Sequence, residues 1–145
     1  MAEKENVQLV EQMIAALNAR DLDRYAQKID TSYIGESETV AGPVRGPEGA
    51  RQALNMLFTA FPDLNIQVEQ ILASGDHVVA RARLTGTHKG NYAGVAPTNR
   101  SVTWHGCNVV EIRNGKVVGS RVYADNASVF QQLGVLSLPR VATAG

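Results

Sequence analysis

The stretch that decides the fold is residues 101–126, SVTWHGCNVVEIRNGKVVGSRVYADN, in which two apolar segments flank Asn114-Gly115. A two-residue Asn-Gly connection favours a type I′ hairpin, and this turn sets which residues face each other. With Arg113 opposite Lys116, the ladder predicts three cross-strand pairs: Asn108 with Arg121, Gly106 with Tyr123, and Trp104 with Asp125. A bulge in either strand would turn part of this set to the other face.

The predicted inner face of this hairpin changes character along its length. Near the turn it is apolar, with Val110, Ile112 and Val117, and farther away it carries the functional side chains of the three pairs. An apolar wall with a few convergent polar groups is typical of a small-molecule pocket. The hairpin therefore predicts a binding site inside the sheet.

Composition narrows the class of protein. The 145 residues are enough for one domain, and 14 basic residues balance 14 acidic ones. Neither a basic run nor an apolar segment of membrane-spanning length is present, so we expect no nucleic-acid or membrane partner. Cys107 has no second cysteine to pair with, and the charged N-terminus lacks a signal core, which favours a cytoplasmic protein.

The order of periodicities predicts an α+β fold. Helical spacing predicts a helix over residues 3–18, a short helix capped by Asp21, and a third opened by Gly46-Pro47-Glu48 and ended by Pro62. Alternation then predicts antiparallel strands, with a bulge near Glu69-Gln70 and a long strand after Gly75-Asp76. A last helix over residues 127–133 should stop at Gly134, and we expect a frayed tail after about residue 138.

Six short segments, in order and at matching separations, resemble the SnoaL-like polyketide cyclase family. They are Phe61-Pro62-Asp63-Leu64, GDHVVAR at 75–81, THKG at 87–90, GVAPTNR at 94–100, NGKVV at 114–118, and Gln132-Leu133-Gly134. The resemblance implies a single domain over residues 1–145. It also implies a cone-shaped α+β barrel, related to ketosteroid isomerases, in which helices and a curved, mostly antiparallel sheet enclose an apolar cavity. Many members are dimers, and Cys107 and Val109 on the predicted outer face fit a homodimer.

The resemblance places the family's acid/base aspartate on Val122 and its active-site histidine on Asn108. Valine cannot transfer a proton, so the cyclase reaction would need another group. Asp125 matches an acidic position in related sequences with an Arg-x-Tyr-x-Asp pattern, here residues 121–125. We therefore take Asp125 and Asn108 as the candidate catalytic residues. The alternative for Asp125 is an N-cap of the last helix, and the alternative for Asn108 is a hydrogen bond to Arg121.

Other side chains are candidates for contact with the substrate: Arg121, Tyr123, Trp104, His88, Tyr33 and Tyr92. The alternatives are core packing for Trp104, a hydrogen bond to the following loop for His88, and surface aromatics for Tyr33 and Tyr92. The three histidines share no metal-ligand spacing and no glycine-rich phosphate loop follows a strand, so we expect neither metal nor cofactor.

Two functions of different classes follow. The first is a cofactor-independent enzyme of cyclase or isomerase type that acts on a hydrophobic, polyketide-like carbonyl substrate. The second is a binding module that holds such a molecule unchanged. A hydroxylase of the same family is a further alternative, although those members carry Trp-Asp where this chain has Arg121-Val122. An epoxide hydrolase would need two inward carboxylates, and only one is predicted.

Overall fold

The structure of the protein, a computed structural model, describes residues 2–142. Its elements, in chain order, are α1 (Ala2–Asn18), α2 (Leu22–Ala26), β1 (Ile29–Ser37), β2 (Val44–Arg45), α3 (Gly46–Ala60), β3 (Asn65–Ser74), β4 (His77–Thr87), β5 (Ser101–Arg113), β6 (Lys116–Ala124) and α4 (Asn126–Gln132). The predicted α+β class is confirmed. No helix in this part of the chain is long and apolar enough to cross a membrane.

Local sequence signals explain where the helices begin and end. The carboxylate of Asp21 accepts the backbone N–H of Arg24 at 3.0 Å, which caps α2 as predicted. Proline occupies the first turn of α3, where its missing N–H costs nothing, and Pro62 follows the end of that helix. Gly134 adopts a left-handed φ of 82° directly after α4. Residues 136–142 have no regular secondary structure, and the rest of the predicted tail lies outside the described residues.

The six strands form one sheet in the order β2-β1-β6-β5-β4-β3. All neighbours are antiparallel except β1 and β6, which run parallel. The predicted bulge in β3 is confirmed, because the ladder with β4 shifts between Val68 and Gln70. Among residues 2–142, the edge strands β2 and β3 do not pair with each other, so the sheet stays open rather than closing into a complete barrel.

The predicted register of the β5–β6 hairpin is wrong beyond the turn. Arg113 pairs with Lys116 and Ile112 with Val117, but Glu111 then pairs with Gly119, so Val118 is an extra residue in β6. This bulge reverses the alternation of β6. A continuous ladder would turn the guanidinium of Arg121 toward the apolar interior, at a high desolvation cost, whereas the bulge leaves it outside.

Two apolar clusters fill the inner side of the sheet. The first joins α1 to the turn end of the hairpin and includes Leu9, Met13, Val78, Val110 and Ile112. The second lies at the opposite end of the strands, under α4, and is made of Ala60, Phe61, Leu64, Val102, Trp104, Val129 and Leu133. The middle of the inner face lies between these clusters.

Candidate functional site

Asn108 lies in the middle of the inner face, between the two apolar clusters. It pairs with Ala80 across to β4 and with Val122 across to β6, so the three side chains form one row over three strands. Oδ1 of Asn108 is buried, and the described residues offer it no hydrogen-bond donor. A buried polar atom without a partner costs about 1–3 kcal/mol, so this amide is a candidate contact for a bound molecule.

The row also joins the two positions that the resemblance singles out. Val122 and Asn108, which the resemblance aligns with the family's aspartate and histidine, lie directly opposite each other and face inward. In the fully described strands β4, β5 and β6, no inward-facing residue is Asp or Glu. The amide can accept or donate hydrogen bonds, but it cannot act as a general base at neutral pH.

Tyr33 and Ser120 form a polar pair on the same inner face as Asn108. Ser120 pairs with Val110, which places it diagonally across the ladder from Asn108, within reach of long side chains. Its Oγ lies 2.7 Å from the hydroxyl oxygen of Tyr33. Tyr33 belongs to β1 and is buried, so the alternative of a surface aromatic is wrong. A Cβ at Gly35 would collide with its hydroxyl, so this glycine makes room for the ring.

Burial determines the protonation state of the Tyr33 hydroxyl. Desolvation raises its pKa above the usual value, and the hydrogen bond with Ser120 offsets part of that increase. Tyr33 therefore carries a neutral hydroxyl at physiological pH, and its partner Ser120 lies in the row next to that of Asn108.

The bulge places Arg121 and Tyr123 on the outer face, away from Asn108. Nη1 and Nη2 of Arg121 donate to Glu36 at 2.9 Å and to Glu38 at 2.8 Å, and its Nε donates to the hydroxyl of Tyr123 at 3.0 Å. Tyr123 is 52% exposed. The predicted pairs of Asn108 with Arg121 and of Gly106 with Tyr123 are therefore wrong, and Val122 and Ala124 take the inner positions instead.

Asp125 is exposed and caps α4. Its carboxylate accepts the backbone N–H of Ser128 at 3.0 Å, while its own N–H donates to the carbonyl of His105 on the outer face of the sheet. The predicted placement beside Trp104 on the inner face is wrong for the same reason as for Arg121. The alternative interpretation of this carboxylate, a helix N-cap, agrees with the geometry.

His88, Trp104 and Tyr92 lie around the ring of Phe61, a member of the second apolar cluster. The ring of Phe61 is 5.6 Å from His88, 5.1 Å from Trp104 and 5.2 Å from Tyr92. Eight residues separate His88 from Ala80, the partner of Asn108 on β4, a distance of about 26 Å along the strand. The structure thus groups these three aromatic-ring residues with one another and not with Asn108.

The sequence interpretation missed Ser120 and Val122 as inward neighbours of Asn108. Alternation from the Asn-Gly turn put both on the outer face, and only the bulge at Val118 brings them in. The short apolar pair Val117-Val118 gave no sign of which valine would face the core. The spacing of Tyr33 and Gly35, an aromatic residue and a glycine on one strand face, was the available signal for a crowded inner position.

Three further observations concern parts of the molecule away from Asn108. A cleft of about 360 Å³ lies between α1 and the hairpin turn, lined mainly by polar groups such as Gln8, Gln12 and Asn114, and it includes none of the predicted site residues. Across residues 2–142, no three His, Cys, Asp or Glu side chains come together as a metal site would require. Cys107 is half-buried on the outer face, and dimerisation through that face stays a prediction.

Comparison with known proteins gives matches over most of the chain. The sequence profile described as SnoaL-like polyketide cyclase matches residues 7–133. The aklanonic acid methyl ester cyclase DnrD of Streptomyces peucetius is 28% identical over 130 residues, which cover 88% of this chain and 90% of that protein. The corresponding cyclase AcmA of Streptomyces galilaeus is 28% identical over 133 residues, covering 90% of this chain and 91% of AcmA.

Solved structures also share this fold over most of the chain. AclR of Streptomyces galilaeus, which has been proposed to be a hydroxylase, superposes with a TM-score of 0.83 at 30% identity, over 93% of this chain and 99% of AclR. A protein of Jannaschia sp. CCS1, proposed to be a SnoaL-like polyketide cyclase, gives a TM-score of 0.85 at 25% identity, over 93% of this chain and 95% of that one.

Proposed function

Since the chain belongs to the SnoaL-like polyketide cyclase family, we propose that it binds a hydrophobic, polyketide-like carbonyl compound in its interior and acts on it by proton transfer without a cofactor. One observation supports this most strongly. The buried Oδ1 of Asn108 has no protein partner in the described chain, and it lies between two apolar clusters. A ligand with hydroxyl and carbonyl groups would satisfy that amide, since an amide both accepts and donates hydrogen bonds.

Asn108 would hold the reacting oxygen. When a carbonyl compound forms an enolate, negative charge develops on its oxygen, and a fixed N–H donor in a dry site stabilises that charge. The Nδ2–H of Asn108 is such a donor once the amide turns that edge toward the ligand, and Oδ1 then faces an enol or phenol hydroxyl. This role needs no titratable group at position 108.

Tyr33 is the proton donor in this proposal. In an intramolecular aldol closure, the enolate carbon bonds to a ketone carbon, and the ketone oxygen becomes an alkoxide that must gain a proton. The neutral hydroxyl of Tyr33, which lies 2.7 Å from Oγ of Ser120, would supply it, and the resulting phenolate would regain a proton from water. Because Val122 replaces the family's acid, the carbon proton would be lost to water or to the substrate's own oxygen rather than to an inward carboxylate.

A non-catalytic binding function is the second candidate, and Val122 favours it. The side chain directly opposite Asn108 is aliphatic, so the row offers a polar contact without a base. Such a protein would hold a polyketide in the same interior and release it unchanged.

Turnover of aklanonic acid methyl ester, the compound in the names of both cyclase relatives, tests the proposal. An aldol cyclisation leaves the mass unchanged, so the readout is a product of equal mass with a new chromatographic retention time. We expect that product with the wild type and with Cys107→Ser, a neighbour on the opposite face of β5. With Asn108→Leu, we expect the rate to fall at least tenfold.

The outcomes separate the candidate functions. Ester that binds to the wild type and is recovered unchanged would support the binding function and contradict the enzymatic one. Oxygen consumption with a product of higher mass would indicate a hydroxylase instead. An Asn108→Leu variant as active as Cys107→Ser would contradict the role of Asn108.

A further inference from the structure

A second row of inward positions, next to the row of Asn108, consists only of very small residues. Gly106 pairs with Ala82 of β4 and with Ala124 of β6, so the three residues lie in line across three strands. Together with the row Ala80, Asn108 and Val122, they form a shallow floor in the sheet, which we call the glycine floor. With strands about 4.8 Å apart and rows about 7 Å apart, this floor measures about 10 by 7 Å.

Packing does not explain why position 106 is glycine. A Cβ built there would meet Leu84 Cδ1 at 3.5 Å, the carbonyl oxygen of Tyr123 at 3.7 Å and Ala124 Cβ at 3.8 Å, all ordinary van der Waals contacts. Its φ is also outside the left-handed region. Gly86, by contrast, faces Phe61 Cβ at 3.0 Å, so a side chain there would be crowded.

An unexplained glycine in the interior of a strand is costly. Glycine loses more backbone entropy on folding than alanine and provides no side chain for packing. A glycine in a strand interior often marks a bulge, a tight bend, or the close approach of a ligand or of another backbone, and neither ladder of β5 shifts at Gly106. The adjacent row supplies an independent indication of a ligand, because Oδ1 of Asn108 is buried there without a partner.

We propose that Gly106 determines ligand specificity by opening the glycine floor to the flat face of a fused-ring compound, with an oxygen of that compound at Asn108. This inference rests on the proposed function. The floor has the dimensions of linearly fused six-membered rings. Leu84 and Trp104, which pair in the next row, form its wall on the side of the second cluster. A Cβ at position 106 would lift the rings from the sheet and move their oxygen away from the amide.

Ligand binding can be measured by the fluorescence of Trp104, because it is the single tryptophan of the chain and lies two residues from Gly106 on the same face. Quenching of its fluorescence by aklanonic acid methyl ester gives the Kd. Gly106→Ala and Gly106→Val are the test variants. The matched control is Gly119→Ala, a strand glycine on the outer face, where a Cβ also meets only ordinary contacts at 3.6–4.0 Å.

We expect Gly106→Ala to keep or raise the Tm while its Kd increases about tenfold, and Gly106→Val to bind still more weakly. Gly119→Ala should keep the Kd of the wild type. If both Gly106 variants fold and bind the ester as tightly as the wild type, the role of Gly106 is overturned. The alanine variant alone decides the matter if valine prevents folding. A wild type that does not bind the ester would overturn the proposed function, and this inference with it.

Discussion

Among residues 2–142, two buried side-chain polar atoms have no hydrogen-bond partner, Nε2 of His88 and Oδ1 of Asn108, and they lie in very different surroundings. The other ring nitrogen of His88, Nδ1, accepts the backbone N–H of Thr98 at 3.1 Å, and the ring packs against Phe61. Asn108 has small or aliphatic inward neighbours, with Ala80 and Val122 in its own row and Gly106 in the next row. The unpartnered nitrogen of His88 therefore belongs to a side chain held by a hydrogen bond and ring packing, whereas small and aliphatic side chains surround the unpartnered oxygen of Asn108.

The surroundings of His88 and Asn108 distinguish a structural residue from a candidate ligand contact. The ring and backbone of His88 hold the loop of residues 89–100 in place, since its backbone N–H donates to Arg100 and its carbonyl accepts from Asn99. Removing it should damage the fold. Removing the Asn108 amide should relieve an unsatisfied group and damage only binding.

The largest effect should come from His88→Ala. This change deletes a fully buried ring, its bonds to Thr98 and its contact with Phe61, so we expect the free energy of unfolding to fall by about 3 kcal/mol. Chemical denaturation followed by circular dichroism measures it. A loss below about 1 kcal/mol would show that the second cluster does not depend on His88, and the contrast with Asn108 would disappear.

Asn108→Leu should have the opposite effect on stability. Replacing an unsatisfied buried amide with a hydrocarbon side chain should raise the free energy of unfolding by about 1 kcal/mol. The same denaturation experiment applies, with Cys107→Ser as the control on the opposite face. A clear loss of stability would mean that the amide has a structural partner and would contradict its assignment as a ligand contact.

Two substitutions of Asp125 distinguish the role of a helix cap from that of an acid/base group. Asp125→Ala should lower the free energy of unfolding by about 1 kcal/mol because α4 loses its N-cap. Asp125→Asn should keep both stability and turnover of the ester, since asparagine caps as well as aspartate. Stable Asp125→Asn protein that has lost turnover would restore the carboxylate as a catalytic candidate.

The smallest effect should come from Arg121→Met. Arg121 makes its ion pairs with Glu36 and Glu38 on the outer face, where solvent and salt screen them. We expect no measurable change in Tm or in the Kd for the ester. A weakened Kd with an unchanged Tm would indicate that Arg121 reaches the ligand, against the register of β6.

The sequence predicted the scaffold well because its signals are local. Helical spacing, the cap at Asp21 and the Asn-Gly turn each depend on a few neighbouring residues, and alternation placed Asn108 and Trp104 correctly on the inner face of β5. The site was predicted less well because one extra residue, Val118, reverses every later side chain of β6. No local propensity distinguishes Val117 from Val118. The cost of burying Arg121 decides between them, and that cost appears only after the sheet is assembled.

The central claim is that the amide of Asn108 contacts a bound polyketide on the glycine floor. A crystal structure of the wild-type protein with aklanonic acid methyl ester tests it most directly. We expect a ligand oxygen about 2.7–3.2 Å from the Asn108 amide, with the rings of the ligand lying over Gly106. A ligand bound only in the cleft between α1 and the hairpin turn, or an Asn108 amide bonded to a protein group in the complex, would contradict it.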